Sequence, residues 1–227
     1  MNLTKIISDG CTISTSGTTG TPKEIEQTPT KLKAADAVAI KCQKLTPESK
    51  VYTICKTDHA GGLLAQTLPA VRIGAEVTIE PFNAFRFCRE IGKYTHTHIT
   101  PGHAQLIMRT KGFKDLDLTG IWVTCGSDPI DWNIIESFVE HGATFMANWG
   151  MTEIGPCAIN HVFRTVEDVH ELKDENTILG TNVYCGTKVV DNELYVRGDI
   201  CVYDGWFATG DLVEEREYGF YYLGRKV

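Results

Sequence analysis

From about Thr30 to Asn148 the chain alternates between two hydrophobic patterns. Short runs rich in apolar, β-branched and aromatic residues occur at Val51–Cys55, Ala75–Glu80, His98–Thr100, Gly120–Cys125 and Ala143–Asn148. Between them lie amphipathic or small-residue stretches of helical length, at Lys31–Lys44, Gly61–Val71, Phe85–Tyr94, Pro101–Arg109 and Trp132–His141. Strands and helices alternating at these lengths predict βαβ units and a parallel sheet with flanking helices, an α/β fold. Thr100-Pro101 and Asp128-Pro129 read as helix starts, each a cap followed by proline in the first turn. Gly74 and Gly142 follow helical patterns, where a left-handed terminating residue is wanted. After Thr152 the pattern changes to short strand-like runs, Asn182–Val190, Glu193–Arg197, Ile200–Tyr203 and Tyr218–Leu223, with a tight turn at Asp191-Asn192. The expected division is an α/β domain over residues 1–155 and a β-rich subdomain over 156–227. The acidic stretch Glu167–Asn176 reads as a mobile loop.

Composition narrows the class. The 227 residues, 42% of them hydrophobic and 22% charged, are those of an ordinary globular protein. The net charge of −7 argues against nonspecific binding to nucleic acid or to an anionic membrane. No apolar run approaches the length of a membrane span, and the N-terminus lacks the pattern of a secretory signal. The eight cysteines form no Cys-x-x-Cys pair, and most lie inside apolar runs, so buried thiols in a reducing cytoplasm are expected. His96 and His98 are two apart on a predicted strand and share a face, with His103 nearby; ordinary core or surface histidines explain them better than a metal site does.

The densest chemistry lies in Thr12–Lys23, TISTSGTTGTPK. Glycines let a backbone approach phosphate closely and turn its N–H groups toward the oxygens. Hydroxyls of Ser16, Thr18 and Thr19 add neutral donors, and Lys23 adds a positive charge. The spacing of a Walker A loop, Gly-x₄-Gly-Lys-Ser/Thr, is not met. The run Thr15-Ser16-Gly17-Thr18-Thr19-Gly20-Thr21-Pro22-Lys23 resembles instead the signature of the adenylate-forming superfamily, which includes acyl-CoA synthetases, luciferases and peptide-synthetase adenylation domains. Further matches follow in the family's order. Cys125-Gly126-Ser127-Asp128-Pro129 resembles its glycine-rich strand end beside the adenine, and Asn148-Trp149-Gly150-Met151-Thr152-Glu153 resembles its aromatic-Gly-x-Thr-Glu motif. Gly205-Trp206-Phe207-Ala208-Thr209-Gly210-Asp211 resembles the Trp-x-x-Thr-Gly-Asp element, and Gly219–Lys226 the Gly-Phe…Gly-Arg element. Asp58-His59-Ala60-Gly61-Gly62 is most like o-succinylbenzoate–CoA ligase and aryl-CoA ligases.

The resemblance implies the large domain of the adenylate-forming fold, ATP and Mg²⁺ as ligands, and a small-molecule carboxylate as substrate. It assigns Thr15, Ser16, Gly17, Thr18, Thr19, Gly20 and Lys23 to the phosphates, and Gly126, Ser127, Asp128, Asn148, Gly150 and Met151 to the nucleotide. Trp149 would stack on adenine, an indole offering a wide face. Thr152 would contact the α-phosphate, and Glu153 would ligate Mg²⁺ as a hard oxygen donor. Asp211 would accept from the ribose hydroxyls, and Arg225 would reach the ribose or a phosphate. Lys23, Thr152 and Glu153 are the implied catalytic residues, and His59, Gly62, Leu64 and Ile154 the implied substrate pocket. CoA or a carrier thiol is the implied acyl acceptor. The family's C-terminal lid, with its lysine, has no counterpart in these residues, which predicts slow turnover by the chain alone. Two further readings stay open: a nucleotide-binding module of little or no activity, and one half of a split ligase with a separate lid chain.

Overall fold

A sheet covered on both faces grows out of the predicted alternation. The computed structural model describes residues 2–15 and 23–226. Helix α1 (Leu3–Asp9) leads into a hairpin of β1 (Cys11–Ser14) and β2 (Glu24–Gln27), then into α2 (Pro29–Gln43) and β3 (Lys50–Thr53). A bent helical segment follows: α3 (Ala60–Gly62), a π-helical turn at Leu63–Thr67, and α4 (Leu68–Arg72). The alternation continues through β4 (Glu76–Ile79), α5 (Ala84–Glu90), β5 (His96–Ile99), α6 (Pro101–Met108), β6 (Trp122–Cys125), α7 (Trp132–Glu140) and β7 (Thr144–Met151). After it come β8 (Gly155–Phe163), α8 (Val166–Leu172), β9 (Thr177–Gly180), β10 (Asn182–Val183), β11 (Gly186–Val190), β12 (Glu193–Arg197), β13 (Phe207–Arg216) and β14 (Gly219–Arg225).

The first large sheet has the order β10-β8-β7-β6-β5-β3-β4. Its strands from β7 to β4 are parallel, while β8 and β10 run antiparallel at one side. The period-2 alternation of strands sends Val123, Cys125, Phe145 and Ala147 to one face, against Phe87, Ile107 and Phe138 from α5, α6 and α7. Trp122 and Met146 point the other way, against Ala39, Cys42 and Ala65 from α2 and the bent segment. Burial on both faces explains why these strands read as continuous apolar runs. Each fully buried side chain of this size contributes about 1.5–3 kcal/mol relative to exposure.

The second sheet, β11-β12-β13-β14-β9, is antiparallel. It packs Leu194, Val196 and Val213 against Trp149, Ile154 and Ile159 of the first. The turn joining β7 to β8 is therefore held between the two sheets. The expected division at residue 155 falls on the first residue of β8, which lies with β10 in the first sheet. Among the described residues no helix is long and apolar enough to cross a membrane. All eight cysteines are free, and Cys42, Cys55, Cys125, Cys157 and Cys201 are buried.

Local signals were mostly obeyed. Thr100 caps α6, its Oγ1 accepting from the His103 N–H at 3.2 Å. Gly74 and Gly142 end their helices at φ +80° and +90°. Three expectations are corrected. The helix after β6 starts at Trp132, capped by Asp131, whose Oδ1 accepts from Asn133 N at 2.8 Å, so Asp128-Pro129 is loop. Most of Glu167–Asn176 is α8 and not a mobile loop, because Thr165 and Asp168 form a capping box and Val169 and Leu172 bury on one side. Ile200–Tyr203 is a turn, closed by Cys201 N donating to Gly198 O at 2.9 Å. Its next amide, Val202 N, donates to Glu153 O at 2.8 Å and not to a neighbouring strand.

One buried ion pair makes stability depend on pH. Asp36 of α2 is fully buried, and its Oδ2 accepts from Arg72 Nε of α4 at 2.5 Å while Oδ1 has no partner among the described residues. Burial pushes the Asp36 carboxyl up to about 6 against the pull of Arg72. A folded pKa above the unfolded value of about 3.9 means the folded chain holds this proton more tightly. Its contribution is therefore full below pH about 4 and is lost as pH rises through about 6. Urea denaturation across pH 4–7 should show the natural chain losing roughly 2–3 kcal/mol relative to Asp36→Asn. Parallel pH profiles for the two proteins would refute the assignment.

Candidate active site

Because β3, β5, β6 and β7 are parallel, their C-terminal ends open along one edge of the sheet, where ligands bind in open α/β folds. A cleft of about 1410 Å³ follows this edge. That exceeds the roughly 300–1,000 Å³ of a pocket for one small ligand. The β1–β2 hairpin forms one wall and β13–β14 another.

At the hairpin, Thr15 N donates to Lys23 O at 2.8 Å, and Lys23 N donates to Thr15 Oγ1 at 3.3 Å. Both residues line the cleft. Ser16, Gly17, Thr18, Thr19 and Gly20, expected on the phosphates, lie outside the described residues. The buried side chain of Gln27 fixes the hairpin to the β7–β8 turn, its Nε2 donating to Thr152 O at 2.7 Å.

At the end of β6, Gly126 is buried behind the cleft and does not line it. A Cβ there would sit 2.4 Å from the Asn148 carbonyl oxygen, so only glycine lets β6 and β7 finish this close together. Ser127 and Asp128, which follow, do line the cleft. Ser127 has φ +84°, a left-handed conformation that costs a residue other than glycine about 1–3 kcal/mol.

The end of β7 supplies Asn148, Trp149, Gly150 and Met151 to the same cleft, and the turn into β8 supplies Thr152 and Glu153. Gly150 is packed so closely that a Cβ would meet Gly155 O at 2.4 Å. Asn148 Nδ2 donates to Pro156 O at 2.6 Å, and its buried Oδ1 has no partner among the described residues. Trp149 is only 9% exposed, so its ring is part of the wall, and Nε1 donates to Asp211 Oδ2 at 2.9 Å. The other carboxylate oxygen of Asp211 accepts from Arg225 Nη1 at 3.1 Å, and Arg225 Nη2 donates to Thr209 O at 3.4 Å. Burial raises the Asp211 carboxyl above the ordinary range, opposed by the Trp149 hydrogen bond and the Arg225 charge. Glu153 is half-buried, and its carboxylate has no hydrogen-bond partner among the described residues.

The expected substrate pocket divides. His59 is exposed beside Asp58, and with Gly62 it lines the cleft. Leu64 and Ile154 do not. Leu64 is fully buried with Ile13, Leu32 and Leu68 beneath the hairpin, and Ile154 is fully buried with Leu194 and Val196 between the sheets. Cleft residues that the sequence did not mark for a site include Cys55, Phe82, Ile130 and Tyr222, and His103, read there as an ordinary histidine, lines the cleft as well. Phe82 sits two residues beyond the predicted strand end at Glu80 and His103 three beyond that at Thr100, so a reading of those ends would have found these two. His98 lines the cleft, whereas His96 points elsewhere, its Nε2 lying 3.0 Å from Gln43 O.

Residues 11–210 match the family model described as AMP-binding enzyme. Indoleacetate–CoA ligase of Aromatoleum aromaticum is 26% identical over 244 residues, a match covering 93% of this chain and 46% of that protein. Nicotinic acid–CoA ligase of Aspergillus fumigatus is 25% identical over 237 residues, covering 93% and 40%. O-succinylbenzoate coenzyme A synthetase from Bacillus subtilis, solved in complex with AMP, superimposes with a TM-score of 0.79 at 20% identity, covering 97% of this chain and 50% of that one. The N-terminal domain of FACL13 from Mycobacterium tuberculosis gives 0.79 at 18% identity, covering 95% and 60%. The chain spans less than half the length of these two curated relatives. With the family model running from the hairpin to β13, the chain belongs to the AMP-binding enzyme family and has the fold of the large N-terminal domain of adenylate-forming enzymes.

Proposed function

We propose that this cleft binds ATP and activates a planar, largely apolar carboxylate as its acyl-adenylate, releasing pyrophosphate, with a thiol such as CoA as the later acceptor. The observation that carries the reading is the convergence of Lys23, Glu153, Trp149, Asp211 and Arg225 on one cleft from four separate stretches of chain. Relatives named for aromatic acids, indoleacetate and nicotinic acid among them, support a planar acid.

In this reading Lys23 and the Thr15 hydroxyl lie at the polyphosphate. Asn148 and the Trp149 ring form the wall beside adenine. Asp211 has lone pairs left after Trp149 and Arg225, and these accept from ribose hydroxyls. One free carboxylate beside phosphates is a donor set that suits Mg²⁺, so Glu153 is the residue to hold it. Bound there, Mg²⁺ would supply charge neutralisation at the phosphates. Thr152 donates to an α-phosphate oxygen. A carboxylate oxygen of the substrate attacks the α-phosphorus, and the bond to the bridging oxygen breaks as pyrophosphate leaves. The protein's part is positioning and charge stabilisation.

Isothermal titration with ATP·Mg²⁺ tests the first half, and exchange of labelled pyrophosphate into ATP with a panel of aryl acids tests the second. Lys23→Ala and Glu153→Gln should each lower exchange by roughly 10²–10³, the loss expected for one charged contact to a transition state. A folded chain that ignores ATP·Mg²⁺ would sink the whole reading. Nucleotide binding without exchange for any acid would leave only a binding module. For Asp211→Asn, AMP affinity should fall about tenfold, or about 1.4 kcal/mol, because the amide keeps one acceptor oxygen where the carboxylate has two, and loses the charge that accepts the ribose hydroxyls. Unchanged AMP affinity in a folded variant would remove Asp211 from the nucleoside site.

A further inference from the structure

The cleft continues past the residues used so far. In the strand order β7, β6, β5, β3, β4, the ends of β5, β3 and β4 stand roughly 10, 14 and 19 Å along the sheet from β7, at about 4.8 Å per strand. That far end is walled by Ile54, Cys55, Phe82, His98, His103 and Ile130. Glu80, at the end of β4, lines it too, its carboxylate accepting from Tyr52 and Arg86, and two imidazoles stand among the apolar side chains.

His103, in the first turn of α6, is held in place from two sides. Its ring stacks on Phe82 with centroids 4.0 Å apart and planes 17° apart. Its Nδ1 lies 3.7 Å from Cys55 Sγ. The same sulfur lies 3.2 Å from the carbonyl oxygen of His98, which can only accept. Burial pushes the Cys55 thiol up to about 12, so it keeps its hydrogen and donates it to that oxygen. The sulfur is then left to accept, and His103 Nδ1 carries the ring hydrogen. Burial also lowers His103 below the ordinary histidine value, which keeps the ring neutral and leaves Nε2 a bare acceptor. Among the described residues Nε2 has no hydrogen-bond partner. Beside it His98 is 4% exposed, and a Cβ on Gly61 would come within 3.0 Å of its ring, so the floor of the chamber is rigid.

We propose that this far chamber takes the tail of a planar acid bearing a ring N–H or a hydroxyl, and that His103 Nε2 reads that donor. The inference rests on the proposed function in one respect: the tail belongs to the carboxylate being activated. A site built to hydrogen-bond a polar group discriminates against the analogue lacking it, because its own polar atom is then left unpaired.

The test uses free acids in pairs of nearly equal shape: indole-3-acetate against benzothiophene-3-acetate, and 3-hydroxybenzoate against 3-methylbenzoate. Binding to the whole chain is measured by ligand-observed NMR titration, with and without ATP·Mg²⁺. The natural chain should favour the donor-bearing member of each pair at least tenfold. His103→Phe keeps the stack and removes the acceptor, so the ratio should fall to near one with ATP·Mg²⁺ affinity within twofold of the natural value. His103→Gln, which retains an acceptor, should keep part of the preference. The inference is overturned by equal binding within both pairs, by a preference that survives His103→Phe, or by binding of none of the four acids to the folded chain with nucleotide present. A preference for the donor-bearing acids in a chain that ignores ATP·Mg²⁺ would overturn the nucleotide reading and leave this one standing. Nucleotide binding without any preference would do the reverse.

Discussion

The hydrogen bond from Trp149 Nε1 to Asp211 Oδ2 joins the two sheets at the point where the cleft begins. Removing a carboxylate from water costs several kcal/mol unless partners replace the lost solvation. Here they do so from two directions, the indole N–H on one oxygen and the Arg225 guanidinium on the other, while the Asp211 backbone N–H is anchored on Thr209 Oγ1 at 3.1 Å. Hydrogen bonds to a charged group contribute about 1.5–3 kcal/mol each, enough to make the burial tolerable. The consequence is geometric. Trp149 is covalently part of the turn that carries Thr152 and Glu153, so fixing its ring to β13 fixes that turn as well. Gln27 does the same from the other side by holding Thr152 O. The turn is thus pinned by the hairpin and by the second sheet together.

Rigid strands deliver these loops to one edge, and the loops bear the strain. Ser127 in a left-handed conformation and Gly126 with no room for a Cβ are both consequences of finishing β6 hard against β7. A turn that satisfied its own backbone preferences would carry Ser127 and Asp128 away from the cleft. Functional residues on short loops over a packed scaffold commonly show this trade.

Much of the architecture was legible because it obeys simple periodicities. Continuous apolar runs marked strands buried on both faces, and of the family-like motifs Thr15, Lys23, Asn148–Glu153 and Asp211 line the cleft. What failed has local causes. Leu64 was assigned to the pocket, but a π-helical turn at Leu63–Thr67 changes the helical phase, and Leu64 faces the hairpin core. Ile154 follows Glu153 directly, yet the turn there sends adjacent side chains to opposite sides, one half-exposed and one fully buried. The acidic stretch after Arg164 looked like solvated loop because its charges were counted without their positions. Glu167 and Asp168 lie in a helix's first turn, where unpaired N–H groups favour negative charge. Strand β8 was absorbed into the β-rich tail because an antiparallel strand beside a parallel sheet carries no signal of its sheet in its own residues. Asp128, read as a cap, lines the cleft, and Asp131 caps α7 in its place.

A single sheet edge also explains how two unlike ligands could meet. Under the proposed function the nucleotide lies toward β7 and the acyl tail toward β3 and β4, so the reacting carboxylate falls between them, over the ends of β6 and β5. That middle position is where Ser127, Asp128 and Thr100 line the cleft. The ends differ in chemistry for a physical reason. Near β7, charge is tolerable because Asp211, Arg225, Lys23 and Glu153 can pair with one another or with phosphates. Toward β3 and β4 the apolar Ile54 and Phe82 stand with Glu80, whose carboxylate already accepts from Tyr52 Oη at 2.9 Å and Arg86 Nη1 at 3.1 Å. Under the proposal, selectivity in this chamber comes from the direction of the hydrogen bond at His103 Nε2, since the nearby Glu80 carboxylate is already engaged by Tyr52 and Arg86.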